Sequence, residues 1–168
     1  VGWVKGTQDI SASSITINGS SRTVTATGNG GAGLFSAYGQ TVNVVGSVQL
    51  LGGNATNVTN PNSSVSRTRL WSMGGEQVIN ADKLHLIGTT SGTNNITTIG
   101  SWGDQTINLS ADGVDGPALL LQTNNTGPTN LLNNSLNGTQ TITFTGAQAI
   151  LRVEGSFASL GANSNQTN

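Results

Sequence analysis

The sequence predicts an all-β fold, a parallel β-solenoid of about five coils of ~33 residues with three strands each. Three observations predict it: a motif that returns along the whole chain, strict alternation inside each copy, and a scarcity of charge. The motif is a Gly-rich corner followed by Gln and a short strand. It reads Gly-Thr-Gln-Asp-Ile at 6–10, Gly-Gln-Thr-Val-Asn-Val at 39–44 and Gly-Glu-Gln-Val-Ile-Asn-Ala at 75–81. It returns as Gly-Asp-Gln-Thr-Ile-Asn-Leu at 103–109 and Gly-Thr-Gln-Thr-Ile-Thr-Phe at 138–144. The glutamines Gln8, Gln40, Gln77, Gln105 and Gln140 are separated by steps of 32, 37, 28 and 35 residues, a mean of 33. Repetition at that spacing marks stacked supersecondary units, none of which can bury a face alone.

The first strand of each unit follows its Gln. Two residues on stand Ile10, Val42, Ile79, Ile107 and Ile142, all β-branched, and between them and the next apolar position stand Ser11, Asn43, Asn80, Asn108 and Thr143. Such period-two alternation belongs to a strand with one buried face. The apolar set is therefore expected to form one core stack, with equivalent side chains about 4.8 Å apart. Each Gln shares the parity of that set and so faces inward, where a lone amide would cost free energy. Stacked amides can hydrogen-bond along the axis, so the five glutamines are expected to form a structural ladder.

A second strand alternates Ile15/Ile17, Val48/Leu50, Leu84/Leu86 and Leu151/Val153 against Thr16, Gln49, His85 and Arg152, with Leu119 to Leu121 as the remaining copy. A third, weaker strand precedes the next Gln at Leu34 and Phe35, at 69–71, at Ile96 to Ile99 and at Leu131 and Leu132. Residues 1–6 resemble such a third strand, so the chain begins part-way round a coil. Residues 157–168 read as the polar loop that would come before one. Between these strands, residues 18–33 form a Gly/Thr-rich loop with a short strand near 22–26, and residues 52–68 form a longer Asn-rich excursion. Residues 88–95 and 122–130 are shorter loops at the same place, and 112–117 is an insertion. Asn-Gly at 18, 29 and 137 supplies turn chemistry. No apolar stripe of 3.6-residue period is long enough for a helix.

Composition narrows the function classes. Charged residues make up 8% of the 168 residues and the net charge is −1, which lacks the clustered basic face that nucleic acid requires. There is no Cys, so thiol chemistry and disulfides are excluded. No apolar run reaches the ~18 residues of a membrane span. Residues 1–168 read as a single domain, either a segment of a longer fibre or a protomer that stacks end to end, because the last loop joins the first strand in register.

Reactive groups do not converge in this pattern. Asp9 follows its Gln while Glu76 and Asp104 precede theirs, so no equivalent carboxylate pair repeats, and solvated corners are the expectation. Asp112 and Asp115 flank Gly113, a thin basis for a calcium site. His85, the single His, is expected on the outward face beside Lys83. Neither a catalytic set, a metal site nor a cofactor is expected. Asn54, Asn57 and Asn62 are candidate glycosylation acceptors in the long loop. Trp3, Tyr38, Trp71 and Trp102 gather near one corner and read as core or corner packing. The Thr-x-Thr pairs at 23–27 and 141–145 are interrupted as an array by Asn43, Asn80 and Asn108.

The repeated Gly-x-Gln-Thr-Ile-Asn/Thr, followed by Leu-x-Leu-x-Gly and an Asn/Gly-rich loop, resembles the repeat regions of filamentous-haemagglutinin-like bacterial exoproteins. The likeness covers essentially the whole chain. It implies a right-handed β-helix, secretion through an outer-membrane partner, and a place on the bacterial surface in adhesion or biofilm. The expected function is therefore a structural and adhesive rod or filament segment, with self-association end to end or continuation in a longer chain, and a host-cell or glycan ligand. A carbohydrate-binding or carbohydrate-cleaving β-helix is the alternative, and an ice-binding solenoid the second.

Overall fold

The computed structural model describes residues 2–4, 6–20, 23–24, 30–54, 56–57, 66–89, 95–123, 129–133, 138–156 and 158–162. Among them there is no helix. The strands are joined into parallel sheets stacked as a β-solenoid.

One sheet carries the glutamines. Its strands run Gln140–Phe144, Gln105–Leu109, Gln77–Ala81, Gly39–Val44 and Thr7–Ala12 in spatial order. The register aligns Gln8 with Gln40, Gln40 with Gln77, Gln77 with Gln105 and Gln105 with Gln140. Ile10, Val42, Ile79, Ile107 and Ile142 follow as consecutive partners in the same ladders. Val42, Ile79 and Ile107 are fully buried, while Ile10 and Ile142 in the outermost strands are partly covered and pack against the same core.

A second sheet orders Leu151–Glu154, Leu119–Gln122, Lys83–Ile87, Ser47–Leu51 and Ile15–Asn18. Its inward column of Ile17, Leu50, Leu86, Leu121 and Val153 is in register from strand to strand. Leu50, Leu86 and Leu121 have no exposed surface. Fully burying a side chain of this size contributes about 1.5–3 kcal/mol, and the stack repeats that gain at each inner strand.

The third sheet is the widest. It orders Gly2–Val4, Gly30–Ser36, Ser66–Ser72, Ile96–Ser101, Thr129–Asn133 and Ala158–Ala162. Two expectations are corrected here. The third strands are six or seven residues long in three copies rather than brief, and residues 158–162 form a strand paired with Thr129–Asn133 instead of part of a loop. The reason is physical. This sheet buries hydroxyls where the others bury aliphatics, so a pattern search tuned to apolar alternation sees little. Ser66, Thr68 and Ser72 alternate inward with Leu70, all buried. Strand partners Ser36, Ser72 and Ser101 line the corner that leads to the glutamines. Ser72 Oγ donates to Gly75 O at 3.1 Å and Ser101 Oγ to the same oxygen at 3.0 Å. At the opposite corner Thr68 Oγ1 donates to Leu51 O at 3.1 Å, and Thr129 Oγ1 to Gln122 O at 3.2 Å. The buried hydroxyls thus find acceptors at the corners, and at Leu51 O and Gln122 O they add a second hydrogen bond to those from Gly19 N at 2.8 Å and Gly88 N at 2.6 Å.

The short strand foreseen near 22–26 is Thr23–Val24, paired with Thr56–Asn57. At the corner after the third sheet, Gly75 lies against Tyr38 O so closely that a Cβ could not be placed.

Candidate functional site

Two kinds of feature are candidates: the columns running along the axis, and the surfaces at the ends and sides. The glutamine column comes first. Gln40 Nε2 donates to Gln8 Oε1 at 2.6 Å, Gln77 to Gln40 at 2.8 Å, Gln105 to Gln77 at 2.7 Å and Gln140 to Gln105 at 2.6 Å. Gln40, Gln77 and Gln105 are buried. All four bonds point the same way, so the file has a polarity: an amide nitrogen at Gln8 and an amide oxygen at Gln140. Gln77 Nε2 also lies 3.4 Å from Leu70 O, which ties the ladder to the third sheet.

A second amide ladder runs on the outward face. Asn80 Nδ2 donates to Asn43 Oδ1 at 2.7 Å and Asn108 Nδ2 to Asn80 Oδ1 at 2.8 Å. The sequence signal was visible as Asn three residues after three of the glutamines, although it reads only as an interruption of threonines. These residues border shallow grooves, one of about 510 Å³ lined by Ser11, Ala12, Asn43, Val44, Val45 and Asn80.

The singled-out acids lie apart. Asp104 Oδ1 accepts from Thr139 N at 2.8 Å and from Thr139 Oγ1 at 3.2 Å, which pins one corner to the next. Asp112 Oδ1 accepts from Val114 N at 3.0 Å and caps the insertion, whose Gly113 has φ +85°. Lys83 Nζ donates to Asp115 O at 3.0 Å, and His85 Nε2 lies 2.8 Å from Pro117 O. Thus His85 is half-buried beneath the insertion rather than free on the surface. Among the described residues there is no group of three or more His, Asp or Glu residues placed to hold a metal ion.

Asn54 is exposed and its Oδ1 accepts from Thr89 Oγ1 at 2.6 Å; Asn57 lies in the short strand Thr56–Asn57, and Asn62 lies outside the described residues. The aromatic residues divide. Tyr38 and Trp102 are 63% and 51% exposed at the corner before the glutamines, so they stand at a corner and outside the core. Trp71 is half-buried on the outward face of the third sheet, and Trp3 is the strand partner of Phe35.

Arg67, Arg69 and Trp71 alternate outward on the strand Ser66–Ser72. Trp71 thus stands on a sheet face with two arginines, and the sequence pattern sets neither Arg67 nor Arg69 apart from the rest of that weaker strand. Their signal was the i, i+2, i+4 spacing, which places three large polar or aromatic side chains on one face.

Among the described residues no helix is long and apolar enough to cross a membrane. Compared with known proteins, the chain matches no family model, no curated protein and no solved structure.

Proposed function

We propose that the chain is a length of an extracellular bacterial rod or filament, a right-handed solenoid of about five coils whose work is mechanical and presentational rather than catalytic. The observation that carries this reading is the state of the two ends. Leu151, Val153 and Leu160 sit at inward positions of the last strands, yet they are 46%, 45% and 37% exposed. Leu151 and Val153 continue columns in which Leu119, Leu84, Leu121 and Leu86 are fully covered, and Leu160 continues the one that holds the fully covered Ile99 and Leu70. At the other end Ile15 is a partly covered member of the Leu151 column, and Ile10 begins the column that ends at the partly covered Ile142. The glutamine file adds direction, because an amide oxygen at one end complements an amide nitrogen at the other. A further coil laid on either end would extend three parallel ladders and bury the exposed aliphatics. That coil belongs either to the same chain or to the next molecule, and unpaired strand edges favour such stacking.

The intervals between second-sheet and third-sheet strands differ in length from coil to coil, as a display scaffold requires. The bacterial surface, and secretion through an outer-membrane partner, follow from the resemblance of the repeated Gly-x-Gln motif to exoprotein repeats. The test is sedimentation of the purified chain over a range of concentrations, with electron microscopy of the same samples. Species growing by whole multiples and rods of one width are expected. Globular monomers at every concentration would overturn self-stacking.

A further inference from the structure

The outward face of the third sheet holds the feature that the stacking function leaves unexplained. Arg67, Arg69 and Trp71 project side by side from the strand Ser66–Ser72, the two arginines about 7 Å apart along it. Their strand partners on one side are Gly31, Gly33 and Phe35, and on the other Ile96, Thr98 and Gly100. The glycines keep the neighbourhood low. A Cβ at Gly100 would run into the six-membered ring of Trp71, so that ring lies flat on the strand beside it. A Cβ at Gly33 would meet the edge of the Phe35 ring at 2.7 Å. The face therefore presents aromatic rings laid down on backbone, with Arg69 Cζ 5.7 Å from the Trp71 ring centroid.

The charge on this face is uncompensated. None of the six strands of the third sheet contains Asp or Glu. All seven acidic residues of the chain stand on the other two sheets, at the corners or in the insertion. The ion pair among the described residues is Arg152 with Glu154, at 3.4 Å on the second sheet. Arg67 Nε and Arg69 Nε are buried and meet no hydrogen-bond acceptor. Burial holds the Arg69 guanidinium below its ordinary range, and the like charge of Arg67 adds to this. Two cations so placed raise the energy of the free protein and are relieved by an anion from outside.

We propose that this face is a binding site for an acidic polysaccharide. Each guanidinium fork accepts a carboxylate or sulfate by paired N–H donors, while the apolar face of a sugar ring stacks on Trp71. A polymer with one acid group per ring supplies anions at a spacing that two neighbouring arginines can share. A nucleotide chain would use the same rings and cations, so it is the competing occupant. The proposal gives a ligand class to the adhesive part of the reading above and rests on that reading only for where the glycan is met.

The experiment measures binding of the intact chain to polygalacturonate, dextran sulfate, neutral dextran and a single-stranded oligonucleotide at low salt. Binding to one or both acidic glycans and not to dextran is expected, and the stronger of the two identifies carboxylate or sulfate as the anion. Affinity should fall as salt rises. R67Q/R69Q should lower it by about tenfold or more, whereas K83Q/R152Q should leave it unchanged. G100A should also weaken binding, because it lifts the Trp71 ring without removing a charge. Circular dichroism of R67Q/R69Q should match the parent, and if that variant does not fold, G100A decides. Equal binding of dextran, no glycan binding, retention in the variants, or tighter binding of the oligonucleotide would each overturn the proposal. Sedimentation of the same samples separates this failure from a failure to stack.

Discussion

Gln77 shows what a single side chain does in this molecule. It has no exposed surface, donates to Gln40 and accepts from Gln105. Gln77→Ala therefore leaves the Gln40 oxygen and the Gln105 nitrogen buried without each other's link. A loss of about 2–5 kcal/mol is expected in urea unfolding. Gln140→Ala removes one bond at the end of the file, and about 0.5–1.5 kcal/mol is expected there. Equal losses at both positions would show that the ladder does not act as a connected file. The apolar neighbour behaves alike. Ile107 is fully buried between Ile79 and Ile142, so Ile107→Asp places a carboxylate where no partner exists and is expected to unfold the chain. Asn108→Asp breaks one partly exposed amide bond, with an expected cost of about 1 kcal/mol in the same assay.

At the scale of the element, the corners are as demanding as the strands. Gly75 approaches Tyr38 O with no room for a Cβ, and that obstacle is backbone, which cannot swing aside. Gly75→Ala should lower the thermal midpoint markedly. At Gly39 a Cβ would stand 3.4 Å from Glu76 O, an ordinary contact, and Gly39→Ala should be nearly neutral. The hydroxyl corners explain why the third sheet was hard to see in the sequence. Ser36, Ser72 and Ser101 are buried because turn carbonyls receive their protons. A Ser reads as polar and exposed until its acceptor is known.

The whole molecule is a stack with nearest-neighbour contacts, so its stability is uneven along the axis. Local opening should begin at the outer strands and reach the middle last. Hydrogen exchange is expected to be slowest in Gln77–Ala81 and Lys83–Ile87 and faster in Thr7–Ala12 and Leu151–Glu154. Uniform protection would contradict a stack of separable coils. The exposed ends carry a further consequence. Leu151→Lys together with Val153→Lys places charge on columns that another coil would cover, so end-to-end species should vanish in sedimentation while circular dichroism stays unchanged.

Period and alternation along the chain are sufficient to place the sheet of glutamines and the sheet of leucines. Its period placed the Gln corner, and its alternation placed the inward residues, because a strand has only two faces and water rejects one of them. Counting two residues on from each of the five glutamines is enough to align Ile10, Val42, Ile79, Ile107 and Ile142. The extent of the third sheet, the direction of the amide ladders, the half-burial of His85 under the insertion and the arginine face emerge only once the coils are stacked. Those depend on which groups meet across coils some thirty residues apart. Residue type along one strand does not reveal whether a serine finds a carbonyl or an arginine finds an acid. That choice belongs to the neighbour one coil away.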